Sequence, residues 1–129
     1  MDFELNGKEY RAGVIDARKQ FHIVRRLAPI FGNMAAGGDT AVMLANAIGS
    51  LSDDDADYVL FGLLAVVKRK EGNGLGWSPV SNKTQMMYAE ITMAEMLQLA
   101  FKSFEANMQD FFSVSRSVLS QANPTQNAE

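Results

Sequence analysis

Residues Tyr58–Val67, YVLFGLLAVV, form the one stretch of the chain that is apolar on every side at helical spacing. At 100° per residue Leu60, Leu63, Leu64 and Val67 point one way while Val59 and Phe61 point elsewhere, so no polar stripe remains and a helix here is buried. Charge marks its ends. Ser52-Asp53-Asp54-Asp55 precedes it and Lys68-Arg69-Lys70 follows it, acid at the positive end of the helix dipole and base at the negative end. Ser52 with Asp55 three residues on resembles a capping box with Asp in the place of Glu. The pattern predicts a central helix ending at Lys70 or Glu71, covered by the other elements.

Upstream of it, Phe3 and Leu5, then Asn6-Gly7, then Lys8 to Ala12 read as a β-hairpin, because Asn-Gly supplies the positive φ angles of a type I′ turn. A two-residue turn sets Leu5 opposite Lys8 and Phe3 opposite Tyr10. A lone hairpin is marginal in water, so it must lie on the helices or find a third strand. Asp16 caps a helix from Ala17 to about Ala35. Its apolar side is Ala17, Phe21, Val24, Leu27, Ala28, Phe31 and Met34, and its polar side carries Arg18, Lys19, His22, Arg25 and Arg26. Pro29 should kink or end this helix, and Gly37-Gly38 stops what remains. Asp39 or Thr40 caps a short helix, Ala41 to Ile48, with an apolar face of Ala41, Leu44, Ala45 and Ile48.

Downstream, residues 72–79 contain Gly72, Gly74, Gly76, Pro79 and the only Trp, and read as a loop. Thr84 to Tyr88 is a candidate third strand. Thr92 and Glu95 form a capping box that opens the longest helix, reaching roughly Leu119. Met93, Leu97, Ala100, Phe101, Phe104, Met108, Phe111, Phe112 and Leu119 share one arc of it, with Glu95, Gln98, Lys102, Glu105 and Gln109 opposite. Leu99 lands among the polar residues, and Met96 and Val114 lie at the margin. The expected class is mainly α (α+β): one helical domain over residues 1–120 around a buried central helix with an N-terminal hairpin, then a small, polar, disordered tail over 121–129.

At 129 residues the chain is long enough for one core. No apolar run approaches the ~20 residues of a membrane span, and Asp2 and Glu4 stand where a secretory signal would be basic. A soluble protein of a reducing cytoplasm is expected. With zero cysteines there is no disulfide, thiolate zinc site or cysteine nucleophile. The formal charge of -3 exerts no long-range pull on nucleic acid or an anionic membrane. Eight methionines are many for this size, and Met adapts to irregular apolar surfaces, though most are expected to fill the core.

Candidate chemistry is sparse. His22 is the only histidine, so no histidine metal cluster exists; its cationic neighbours disfavour the imidazolium and offer no carboxylate to orient the ring. Asp53, Asp55 and Asp57 have the opening spacing of a calcium loop, but Tyr58 occupies the glycine position and Leu64 the final glutamate position. Gly72, Gly74 and Gly76 meet neither phosphate-loop fingerprint. Glu90, Glu95, Glu105 and Asp110 lie on polar arcs with no reason for a raised pKa. No enzyme, cofactor or metal is expected. The basic face of the first helix, Arg18, Lys19, Arg25 and Arg26, lacks interleaved aromatics, so a solvated face or a protein contact comes before nucleic acid.

The Leu5-Asn6-Gly7-Lys8-Glu9-Tyr10-Arg11 hairpin, the Asp16 to Pro29 helix, the Asp55-Ala56-Asp57-Tyr58 start of the buried helix, the Gly-rich turn with Trp77 and the closing run Asn107 to Phe112 together resemble the tail assembly chaperones of long-tailed bacteriophages and prophages. Order and spacing carry this resemblance, over about Phe3 to Phe112. It implies an assembly factor of the host bacterial cytoplasm, not expected in the mature virion, that binds the tape measure protein, keeps it soluble and helps the tail tube protein polymerise around it. It further implies a homo-oligomer, and a short form beside a frameshifted longer form of the same chain. No nucleic acid or membrane partner is implied. The alternative is a small prophage nucleic-acid-binding regulator using the basic face of the first helix.

A binder of apolar helices needs apolar side chains left over once its own core has closed. Met43, Met86, Met87, Met96, Leu99 and Val114 are the ones the core pattern explains least. Phe111 and Phe112 join them as candidate partner-binding residues.

Overall fold

The computed structural model describes residues 1–32, 40–72 and 74–122; for 29–32, 40, 41, 43 and 108–122 it gives the backbone element and not the side chain. Asn6 and Gly7 adopt φ of 51° and 80°, the type I′ turn that reverses β1 (Asp2–Leu5) into β2 (Lys8–Ala12). The register pairs Phe3 with Tyr10 and Leu5 with Lys8. Tyr10 and Ala12 face inward, and the Phe3 ring stacks on Tyr10 at 5.7 Å.

Asp16 then caps α1 (Ala17–Gly32) by accepting from the Lys19 N–H at 3.0 Å. Pro29 does not end this helix, which runs on to Gly32; the expected stop at Gly37-Gly38 and the Asp39 cap lie outside the described residues. After α2 (Thr40–Gly49), Ser52 caps α3 (Asp53–Leu64), its hydroxyl accepting from the Asp55 N–H at 3.2 Å. The Asp55 carboxylate is drawn instead to Arg26 of α1, at 3.0 Å. Val59, Leu60, Gly62, Leu63 and Leu64 are buried, as an apolar helix with no polar stripe requires.

The expected continuation of that helix to Lys70 or Glu71 is wrong. α3 stops at Leu64, and Val67–Lys70 is strand β3, antiparallel to β2 with Ala12 opposite Val67. The β-branched pair Val66-Val67 favours extended backbone, and their carbonyls accept from the N–H groups of Gly13 (2.8 Å) and Val80 (3.1 Å). The basic run therefore alternates across a sheet and does not neutralise a helix dipole. Lys70 pairs with Glu9 at 3.2 Å on one face; Arg69, on the other, pairs with Glu90 at 2.9 Å and lies over the Tyr88 ring. Tyr88 donates in turn to the Glu71 carboxylate.

The loop with Gly74 and Gly76 reverses β3 into β4 (Trp77–Pro79), and Gly76 has the positive φ of 83° that this turn needs. The sheet is antiparallel, in the order β1-β2-β3-β4. The hairpin thus finds its third strand, but in β3. Thr84 to Tyr88 is not a strand. The Asn82 carboxamide accepts from the N–H groups of Thr84 and Gln85, both at 2.8 Å, and this folds the segment back so that only a Ser81–Met86 bridge forms.

α4 (Met93–Ala122) spans 30 residues, about 45 Å at 1.5 Å per residue. Its capping box is complete. Glu95 N–H donates to the Thr92 hydroxyl at 3.2 Å, Thr92 N–H donates to the Glu95 carboxylate at 3.1 Å, and Asn6 of the hairpin turn donates to the other carboxylate oxygen at 3.0 Å. These bonds hold the Glu95 pKa below the usual carboxylate value, Asn6 contributing most. A group with a lowered folded pKa stabilises the fold above its unfolded pKa and loses that contribution as pH falls. Thr92→Ala is expected to destabilise the chain by about 1 kcal/mol, read as a shift in the urea midpoint without a change in slope.

Candidate interaction surface

α4 turns only part of its expected arc toward the core: Ala100 and Phe104 are buried, Leu97 and Phe101 are half-buried at its edge, and Met93 is exposed. The buried positions described on it are Leu99, Ala100, Ser103, Phe104 and Asn107, so the helix is rotated by roughly a quarter turn from the arc centred on Met93, Leu97 and Phe101. Two polar side chains set the rotation. The Ser103 hydroxyl donates to the Leu63 carbonyl at 2.6 Å, satisfying an acceptor in the last turn of α3 that has no helical partner. The Asn107 carboxamide donates to the carbonyls of Gly13 (3.0 Å) and Ser103 (2.9 Å) and accepts from the Ile15 N–H (2.7 Å) and from Gln20 (3.3 Å). Buried polar groups need such partners. Serving them brings Leu99 inward and swings Met93, Leu97 and Phe101 away from the centre of the core; Met93 is 73% exposed.

α2 presents a similar surplus: Leu44, Ala47 and Ile48 are buried, and Ala45 is exposed. Between α2 and α4 lies an apolar hollow of about 90 Å³ lined by Leu44, Ala45, Ile48, Leu97, Gln98 and Phe101. Its only polar lining residue is Gln98. For scale, an engineered apolar cavity of ~150 Å³ accepts benzene.

This geometry places the partner-binding candidates in different surroundings. Leu99 is 0% exposed, so it is a core residue and not spare; the polar residues around it in projection include Ser103 and Asn107, which are buried with it. Met86 and Met96 are half-buried and pack against the core. Met87 is 55% exposed. The side chains of Met43, Phe111, Phe112 and Val114 lie outside those described. Pattern reading missed the hollow because it assigned every lining residue but Gln98 to the core. One signal was present: Leu99 and Phe101 lie on opposite sides of the helix, an apolar arc too wide for a single core contact.

The basic face of α1 divides in two. Lys19 and Arg26 approach the Tyr58 ring at 3.8 and 3.9 Å, and Arg26 also holds Asp55, so both are engaged in joining α1 to α3. Arg18 and Arg25 have no ion pair among the described residues. The His22 pKa is lowered, first by desolvation and then by Arg25, Arg18, Arg26 and Lys19, which favours the neutral ring. Glu90 and Glu95 both have lowered carboxyl pKa values, the direction opposite to that of a general acid. Among the described residues no group of three or more His, Cys, Asp or Glu is placed to hold a metal, and no helix is long and apolar enough to cross a membrane.

Comparison with known proteins returned no match among curated proteins and none among solved structures. Residues 6–120 match the model of one family, described as phage tail assembly chaperone protein, TAC. That match takes in the hairpin turn, strands β2 to β4, the Ser103 and Asn107 anchors and the hollow between α2 and α4, and on its extent the chain belongs to the phage tail assembly chaperone family.

Proposed function

We propose that this chain binds apolar helical segments of a tape measure protein, keeps that protein soluble, and helps tail tube subunits assemble around it. It acts by stoichiometric contact, without a chemical step, as one domain over residues 1–120 in the host cytoplasm, and stays out of the finished virion. Family membership supports the assembly role. The observation that carries the contact is the hollow between α2 and α4, where Leu44, Ala45, Ile48, Leu97 and Phe101 offer a seat for one apolar side chain of a client helix. Exposed Met87 and Met93 add adaptable apolar surface elsewhere. Repeated weak seats suit a long client only if several copies act along it, so homo-oligomerisation and a frameshifted longer form belong to the same proposal.

Ala45 is exposed at the rim of the hollow, which makes Ala45→Glu a substitution the fold tolerates. Placing a carboxylate there is expected to return the soluble fraction of a co-expressed tape measure protein to its level without the chaperone, while the variant itself remains folded. Equal client solubility with and without the parent chain would refute the function. Full activity of Ala45→Glu would refute the site.

A further inference from the structure

We propose that the outer face of α1 is a second docking surface, which takes an acidic amphipathic helix of another protein. Arg18, Phe21 and Arg25 are three and four residues apart, so they lie along one side of the helix. Phe21 is 61% exposed, and Ala17 and Ala28 are exposed beside it. The core uses Ile23 and Leu27 on the other side. A large aromatic held in solvent between two unpaired guanidiniums combines the side chains enriched at the energetic centres of protein interfaces.

The occupant follows from charge and spacing. Arg18 and Arg25 are seven residues apart, about 10 Å along the axis. A partner helix with carboxylates seven residues apart and an apolar side chain between them meets both arginines and Phe21 in one pose, each guanidinium taking a carboxylate through two parallel bonds.

Nucleic acid is disfavoured, because a phosphate backbone needs a run of cations. Here, among the described residues, only Arg18 and Arg25 of the face lack an ion pair or ring contact, two cations where a phosphate backbone would meet a run. A second copy is disfavoured too. The Asp53–Asp57 turn exposes no large apolar side chain to meet Phe21. Near the exposed methionines, Glu90 is held by Arg69, and Glu95 by Thr92 and Asn6.

The test uses the full chain and a fluorescein-labelled helical peptide carrying two Glu seven residues apart with Leu between them, followed by anisotropy. Saturable, salt-sensitive binding is expected. It should weaken at least tenfold when Gln replaces both peptide Glu, in the Arg18→Glu/Arg25→Glu double variant and in Phe21→Ser, with the helical circular dichroism of each variant unchanged. Ala45→Glu should bind the peptide like the parent chain, so this face and the hollow stand or fall separately. Peptide binding that is absent, or undiminished in the double variant, overturns the proposal. So does tighter binding of a labelled single-stranded oligonucleotide, or self-association that the same variants abolish in sedimentation while the peptide does not bind.

Discussion

Asn107→Ala is expected to lower folding stability by about 3 kcal/mol, a large share of the ~5–15 kcal/mol typical of a small domain. The carboxamide is the joint between α4 and the start of the chain. Its oxygen accepts from the Ile15 N–H at 2.7 Å and its nitrogen donates to the Gly13 carbonyl at 3.0 Å, across more than ninety residues of sequence. Alanine leaves that N–H and that carbonyl without these partners where little water reaches them, and the loss of a buried partner costs more than the bond itself contributes. Urea denaturation followed by circular dichroism reads the loss directly.

Asn107→Asp separates the two halves of the joint. An aspartate still accepts from Ile15 and Gln20, but an ionised carboxylate there faces the carbonyls of Gly13 and Ser103 and has no donor for either. With two carbonyls against it and burial around it, its folded pKa is expected to lie above the unfolded value. Such a group binds its proton more tightly in the folded state, so this variant is closest to the parent below the unfolded pKa and loses stability as pH rises through the folded one. A destabilisation that did not grow with rising pH would show that the joint is not closed by these donors.

The second large effect is expected at Gly62, where α1 crosses α3. A Cβ built there would lie 2.9 Å from Lys19 Cε and 3.2 Å from Ile23 Cδ1. Lys19 is the far end of a flexible side chain and can leave its place over Tyr58, but Ile23 is fully buried and has little room to move. Gly62→Ala is expected to be near neutral, because the helix propensity gained, about 1 kcal/mol, offsets a contact that Ile23 must yield by a few tenths of an ångström. Gly62→Leu has no such compensation. It forces the helices apart and is expected to cost about 3 kcal/mol, seen as a lower urea midpoint and, through the displaced Tyr58, as changed near-ultraviolet circular dichroism. Equal stability of the two variants would mean that α1 does not approach α3 as closely as this geometry requires.

Much of the architecture was legible because it is locally encoded. Asn6-Gly7 has one comfortable turn, Asp16, Ser52 and Thr92 cap helices by bonds within three residues, and the apolar run before Leu64 leaves its helix nowhere to go but inside. The strand at Val67–Lys70 was not legible. Acid before a helix and base after it describe a good dipole, and nothing local announces that the carbonyls of Val66 and Val67 are claimed by Gly13 and Val80. Thr84 to Tyr88 misled for a related reason, since an Asn82 side-chain turn consumes the N–H groups a strand would have offered.

Sequence alone thus determined that this chain makes amphipathic helices and one whose apolar second half is buried, where those helices begin, and, by the order of its turns and caps, which family it resembles. Tertiary structure alone decided which way each helix faces. Periodicity settles the width of an apolar stripe but not its angle to the core, because a rotation about the helix axis leaves every local bond intact. The angle of α4 is set by Ser103 meeting Leu63 forty residues away and by Asn107 meeting Ile15 ninety-two residues away. Those two contacts draw Leu99 inward and leave Leu97 and Phe101 to line the hollow beside α2.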